Sequence, residues 1–258
     1  MRQWIKFIRS RIRKIVPDWA QTIRRRLKYY LFYTGNNRFC PVCGRTSSQF
    51  LAQVWHETYR VEPHYDCRCP YCHSFERHRM VYLYLKQKTD LFSASNTRKL
   101  LHIAPEPCLK ELFKKNLGAS YLTADWNDPR VDIKMDICNI QFPDETFDII
   151  MCSHVLEHVS DDQKAMREFS RVLKKDGWAI LLVPIDAEKT FEDPAITDPV
   201  IRNQTFGMDH VRRYGPDFAD RLRQNNFKVA CVHATDFLSK DEMQYMGIKP
   251  ETIFHCTK

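Results

Sequence analysis

Two Cys-x-x-Cys pairs, Cys40–Cys43 and Cys69–Cys72, are the residues of this 258-residue chain whose spacing dictates a chemistry most directly. Each pair presents two thiolates from one tight knuckle. Two knuckles complete the tetrahedral four-sulfur shell of a structural Zn²⁺, with no coordination position left for a substrate. Cys67 offers a spare ligand, and His73 stands where a knuckle ordinarily carries glycine. Redox-active or plain core cysteines are the alternative. The segment around the pairs is poor in apolar residues, so it needs a metal to hold it.

A second set of reactive side chains follows apolar runs further along. Asp125 closes "YLTADW", where an acid can accept both hydroxyls of a ribose. Asp136, in "KMDICNIQFP", could receive an adenine amino group, and "CSHVLEHV" brings His154, Glu157 and His158 together. Histidine is the usual proton acceptor near neutral pH, which makes His154, His158 and His210 candidate bases. His154 is the best placed, directly after a strand end; a helix cap or a cofactor-shell role is the plainer reading of each. Glu157 suits orienting the loop better than accepting a proton.

The elements that must position these groups alternate. Apolar runs predict strands over 99–104, 120–125, 131–135, 147–152 and 178–183, and helical patterns fall at 105–116, 161–174 and 216–225. Such alternation predicts a doubly wound parallel α/β sheet with helices on both faces. The final strand-like pair, "FKVACVHATD" and "ETIFHCTK", has only a loop between its members, which calls for an antiparallel last strand. Three regions result: a basic amphipathic helical arm over 1–38, a Cys-rich module with a connecting helix over 39–98, and the α/β domain over 99–258. The arm has eleven basic residues and one acid, so the other 220 residues net −2 although the chain totals +8. Ten cysteines, mostly scattered, fit a reducing, cytoplasmic compartment better than a disulfide framework. Neither a membrane-spanning run nor a signal peptide is expected.

Between the first strand and its helix, "LLHIAPEPCL" carries Ala104-Pro105-Glu106-Pro107 where a dinucleotide fold places Gly-x-Gly. Glycines there admit a pyrophosphate to the backbone. S-adenosylmethionine has no phosphate, and its ammonium and sulfonium suit a turn bearing Glu106. The same turn also reads as a stiff connection. The set "LLHIAPEPCL", "YLTADW", "MDICNIQFPDETFDIIMCSHVLEHVSDDQKAMREFSRVLKKDGWAILLVPI", "TFED" and "FGMDHVRRYGPDF" resembles the class I S-adenosylmethionine-dependent methyltransferases of the type-11 kind. More narrowly, it is similar to a subgroup with His-x-Ala-Pro-Glu in place of the glycine loop and a preceding Cys-rich module, matched here by "CPVC" and "CPYCHSFERHR". Two departures are Asp176, where proline usually precedes Gly177, and His73. The resemblance implies a Rossmann-like seven-stranded sheet behind a small zinc-ribbon-like module. It implies cofactor contacts at His102, Ala104, Glu106, Asp125, Asp136, Ile137, Ser153 and His154, with His154 and His210 as catalytic candidates.

The long polar stretch after the fifth strand, with Thr190, Glu192, Asp193, Arg202, Asp209, His210, Arg212 and Tyr214, reads as a substrate wall whose arginines suit an anionic or hydroxyl-rich acceptor. A solvated insertion with internally paired charges is the plainer alternative. Residues 1–33, with Trp4 and Trp19 among arginines, suit an anionic membrane surface; RNA phosphates, a mitochondrial targeting helix and packing on the chain's own domain are rivals. The expected activity is methyl transfer to a small-molecule, glycan- or lipid-linked acceptor at a cytoplasmic membrane face. An RNA methyltransferase and a non-catalytic zinc interaction protein are the alternatives. The net charge of the body makes nucleic acid the weaker partner.

Overall fold

The computed structural model of the chain describes residues 20, 31–53, 63–93, 97–207 and 209–258. The basic arm, with its lipid and RNA readings, lies almost wholly outside the described residues.

The cysteine segment folds as two short antiparallel hairpins, β1 (Arg38–Cys40) with β2 (Arg45–Ser47) and β3 (Leu51–Gln53) with β4 (His64–Arg68). A knuckle follows β1 and another follows β4, and the two are built alike. The amide of Gly44 donates to Cys40 O at 2.8 Å, and that of His73 donates to Cys69 O at 3.0 Å. Both residues are left-handed, with φ of 68° and 61°. The first knuckle meets this demand with glycine, whereas the second strains a histidine.

Helix α1 (Glu76–Lys88) leads out of the second knuckle. Its Met80, Val81, Tyr84 and Leu85 join a core cluster that holds Cys40, Phe50 and Cys69 on one side and Leu100, Phe113, Ile149 and Ile180 on the other. The module and one face of the sheet therefore share a core.

The sheet begins with β5 (Leu100–Ile103), α2 (Pro107–Leu117), β6 (Tyr121–Asp125) and β7 (Ile133–Lys134). It continues through β8 (Phe147–Ser153), α3 (Asp162–Val172) and β9 (Leu173–Leu182). An insertion follows, in which β10 (Phe191–Glu192) pairs with β11 (Arg212–Arg213) around α4 (Pro199–Phe206). Then come α5 (Phe218–Arg223), β12 (Lys228–His233), α6 (Lys240–Tyr245) and β13 (Thr252–Thr257). Seven strands line up in the order β12-β13-β9-β8-β5-β6-β7. Only β13 runs against its neighbours, antiparallel to both β12 and β9. Leu100, Ile149 and Ile180 face one core cluster while Leu101, Ile150 and Leu181 face the other, so the central strands are apolar on both sides.

Three expectations change. The closing strands are joined by α6, not by a loop alone. The third strand shrinks to the two-residue edge β7. Strand β9 begins at Leu173, directly after α3, five residues earlier than the apolar run indicates. A Cβ at Gly177 would come within 2.7 Å of Asp148 O, so the close approach of β9 to β8 requires glycine there whichever residue precedes it.

Candidate active site

Chain order along the sheet reverses at β5. From it the chain moves to β6 and β7 on one side, then returns to β8 and β9 on the other. Ligands of open α/β sheets bind at such a switch point, beyond the carboxyl ends of the strands. Here the backbone opens the crevice with two matching turns. Ala104, just past β5, has φ 47° and donates its amide to Ala124 O at 2.8 Å; His154, just past β8, has φ 56° and donates to Leu182 O at 2.9 Å. Each amide extends its strand's ladder by one bond, to the neighbour on the outer side. Glycine is the ordinary residue at a left-handed position, and this chain places alanine and histidine there.

Below the turn lies a hydrogen-bonded chain. His102 is fully buried, with Nε2 2.9 Å from Glu106 Oε2 and Nδ1 2.8 Å from the Tyr121 hydroxyl. A carboxylate only accepts, so Nε2 carries the proton and Nδ1 accepts from Tyr121. Both ring nitrogens are taken, so His102 supports the turn from beneath. His78, on α1, places Nε2 3.6 Å from Glu106 Oε1. Burial alone would raise the Glu106 carboxyl; the His102 hydrogen bond and the neighbouring imidazoles outweigh it and hold the acid well below its ordinary range. Burial also pushes His78 down to about 3. The cysteine module therefore reaches the turn that the sequence proposes for cofactor contact.

Asp125 ends β6. Its Oδ1 accepts the amides of Asn127 at 2.6 Å and Asp128 at 2.7 Å, which leaves Oδ2 without a part in the loop. Asp136 closes a similar turn onto Cys138 N at 2.8 Å and borders a cavity of about 460 Å³ with Trp126, Met135 and Phe142. Ile137 packs into the core, so only its backbone faces outward. Trp126 is 58% exposed and offers a flat aromatic face beside the acid. Ser153 is the last residue of β8. Glu106, Asp125 and Asp136 thus follow β5, β6 and β7 in turn, acids where a phosphate-binding fold has a glycine-lined anion cradle.

At the other edge of the mouth, His154 Nδ1 approaches Glu157 Oε1 to 3.3 Å outside hydrogen-bond geometry. Burial raises Glu157 and the His154 contact lowers it, leaving the carboxyl below its ordinary range. His158 stacks edge-on against His210 with ring centroids 4.7 Å apart, and burial lowers His210. Glu251 lies in the field of His154 and Arg77, and burial raises it.

Arg212 is not a free arginine of the insertion. Arg212 is 2% exposed and donates to Leu156 O, Val159 O and Ser160 O and to Glu192 Oε2 at 2.8 Å. Tyr214 is fully buried and donates to Asp162 Oδ2 at 2.7 Å, while Thr190 donates to Asp217. Internal pairing prevails for these residues, and Arg212 is a staple of the fold. Arg202 and His210 are the exceptions: among the described residues neither side chain has a hydrogen bond or ion pair, and His210 is held by the His158 ring.

The four thiols meet as a closed cluster. All their sulfurs lie within 4.8 Å of one another. Cys40 and Cys72 Sγ are 3.6 Å apart, and Cys43 and Cys69 Sγ 3.8 Å. A tetrahedron with zinc–sulfur bonds of about 2.3 Å has edges of about 3.8 Å. Hydrogen bonding within the cluster pushes Cys40 far down and Cys43 and Cys69 far up, because one negative charge is shared; a cation is what lets all four ionise together. Ser74 Oγ lies 3.2 Å from Cys40 Sγ and 3.3 Å from Cys72 Sγ. Cys67 is not part of the cluster: its thiol donates to His64 O at 3.1 Å. Arg79, fully buried, donates to Ser74 O, Cys67 O and Gly247 O and lies 4.3 Å over the Phe50 ring, which locks the knuckles to the C-terminal segment.

Sequence reasoning passes over His78, Arg79, Tyr121, Trp126 and Glu251. "ERHR" and the aromatic after "TAD" are visible signals, but the partners of these residues are remote in sequence.

Residues 93–181 match the family model described as a methyltransferase domain. Over 75 residues the chain is 44% identical to an uncharacterized methyltransferase, YcgJ, of Bacillus subtilis, covering 29% of this chain. Residues 93–181 form a class I S-adenosylmethionine-dependent methyltransferase domain. An uncharacterized protein, MJ0638, of Methanocaldococcus jannaschii shares 32% identity over 112 residues, 36% of this chain. The matches span 28% and 49% of those two relatives, less than half of each. Among solved structures, that of Bacillus subtilis YcgJ aligns with a TM-score of 0.44 at 16% identity, covering 69% of this chain and 96% of that one. A SAM-dependent methyltransferase of Archaeoglobus fulgidus aligns with a TM-score of 0.45 at 16% identity, covering 69% and 93%. The methyltransferase domain thus spans β5, β6, β7 and β8 and most of β9, and the match stops before the insertion that carries His210.

Proposed function

We propose that the chain binds S-adenosylmethionine over the tips of β5, β6 and β8 and transfers its methyl group to an acceptor held under the 190–215 insertion. The observation that carries this reading is the paired left-handed turn at Ala104 and His154, at the tips of the adjacent strands where chain order reverses, with Glu106, Asp125 and Asp136 on the residues that follow β5, β6 and β7. The sulfonium is already a strong leaving group, so the protein's part is alignment and exclusion of water. Glu106 is held anionic by its hydrogen bond from His102 and faces the cofactor's positive end. Asp125 Oδ2 takes the ribose hydroxyls, Trp126 and Asp136 flank the adenine, and His154 accepts the acceptor's proton.

The four thiols hold a structural Zn²⁺; the supporting observations are the sulfur spacing and the buried Arg79 beside them. The acceptor is a small-molecule, glycan- or lipid-linked group, and the −2 charge of residues 39–258 argues against an RNA backbone. The arm brings the domain to the anionic cytoplasmic face of a membrane. The test is to incubate the full-length protein with methyl-labelled S-adenosylmethionine and separated small-molecule, lipid and RNA fractions of a cell extract. Label in the first or second supports the reading; label in RNA alone overturns the acceptor assignment; none in any fraction, with the cofactor bound, counts against the activity.

A further inference from the structure

The turn after β8 carries a second cluster of ligand-bearing side chains that methyl transfer from a sulfonium does not by itself require. Glu157 lies on the single helical turn Leu156–His158 and is wholly enclosed. Among the described residues neither of its carboxylate oxygens has a hydrogen-bond partner, and the one ring nitrogen at its edge, His154 Nδ1, stands 3.3 Å from Oε1. A buried acid left in that condition is costly unless a cation meets it. What surrounds it is a set of metal-binding atoms: one Glu157 oxygen and one ring nitrogen each of His158 and His210 all lie within 4.8 Å of one another.

The two histidines come from separate segments, and the fold fixes them together. Val211 N donates to Glu157 O at 2.8 Å, so the residue after His210 is tied to the backbone of the carboxylate itself. Arg212 then clamps the turn through Leu156 O at 2.8 Å and Ser160 O at 2.9 Å. Asp209 Oδ1, 3.1 Å from His158 Nδ1, orients that ring as an outer carboxylate orients a ligating imidazole.

We propose that Glu157, His158 and His210 form a centre for a divalent first-row transition cation, bound by two imidazoles and one carboxylate. Three protein ligands leave coordination positions for water or for an oxygen of another molecule, unlike the closed four-thiol shell. The centre adjoins His154 on the acceptor side of the crevice. On the methyltransferase reading, on which this clause rests, it identifies the acceptor as one whose hydroxyl oxygens ligate a metal, such as a vicinal diol or catechol.

The test is a Co²⁺ titration of full-length protein reconstituted with one equivalent of Zn²⁺, which the four thiols take first, followed by visible absorption. A weak, thiolate-free spectrum saturating at one equivalent is expected. In His158→Ala and in His210→Ala the midpoint should rise at least about tenfold, which is 1.4 kcal/mol. His233→Ala, at the far end of β12, should match the wild type. Circular dichroism and S-adenosylmethionine calorimetry on the same samples establish that the variants are folded. No saturable signal, thiolate bands alone, or midpoints unmoved in both folded variants would overturn the site. Cobalt binding as expected in protein that does not bind S-adenosylmethionine would leave the centre standing and remove the methyltransferase reading instead.

Discussion

The cysteine module and the sheet crevice solve the same problem, holding a few reactive groups in place, by opposite means. In the module the hairpin strands are three to five residues long, and the groups at its centre are thiols that repel one another once ionised. Its order comes from the ligand shell it encloses. In the crevice the groups sit on strand tips whose stems are apolar on both faces, and order comes from burial. Left-handed residues serve both: Gly44 and His73 close the two knuckles, whereas Ala104 and His154 end two adjacent strands.

The comparison breaks most sharply on metal removal. Chelation, or Cys69→Ser, should release one zinc per chain and melt the module, since structural zinc contributes about 10 kcal/mol or more to small folds. Zinc content and a thermal scan check this; a scan unchanged by chelation would show that the module stands without its ligand. The converse is Phe169→Ala, in the sheet core, which should cost about 3–5 kcal/mol in a urea titration while the bound zinc stays in place.

Function separates the regions next. His154→Ala should lower kcat by about 10²–10⁴ with cofactor affinity unchanged, as for loss of a positioned base. Glu106→Gln should do the reverse, weakening S-adenosylmethionine by about 1.5–3 kcal/mol in calorimetry, the range for a hydrogen bond to a charged group. Burial of His78 sets a pH dependence. His78 titrates near 3 in the folded protein, below its ordinary value of about 6.5, so the unfolded chain binds the extra proton between those limits. Its contribution is fully present above that ordinary value and is lost as pH falls toward 3, with a slope of at most about 1.4 kcal/mol per pH unit. Glu106, held low, acts in the same direction further into acid. Urea midpoints against pH should flatten in His78→Asn. The smallest effect belongs to His73→Gly, which relieves the strained knuckle and should shift stability by about 1 kcal/mol or less.

Much of this was legible in residue order. Apolar runs separated by amphipathic helices fix a parallel sheet, and strand ends follow from those runs, so Asp125 and His154 could be placed at the crevice without coordinates. The spacing of Cys40, Cys43, Cys69 and Cys72 reads directly because a knuckle is local. What escaped depends on remote pairing. Nothing near His78 announces Glu106, and nothing near Arg79 announces Gly247. The arginines of the insertion look solvent-facing until Arg212 is seen buried against three carbonyls. Helix α6 is six residues long, too short for its periodicity to declare it. Glu157 reads as a loop residue because enclosure is a property of the packed turn.

The account's central claim is that the tips of β5, β6 and β8 form a binding place for S-adenosylmethionine. The most direct measurement is calorimetric titration of the full-length, zinc-reconstituted protein and its Asp125→Asn variant with that compound. Asparagine keeps the oxygen that caps the loop and replaces the one the loop leaves out. One site per chain, weakened about tenfold or more in the variant, is the expected result. Absence of binding, or binding indifferent to Asp125, would contradict it.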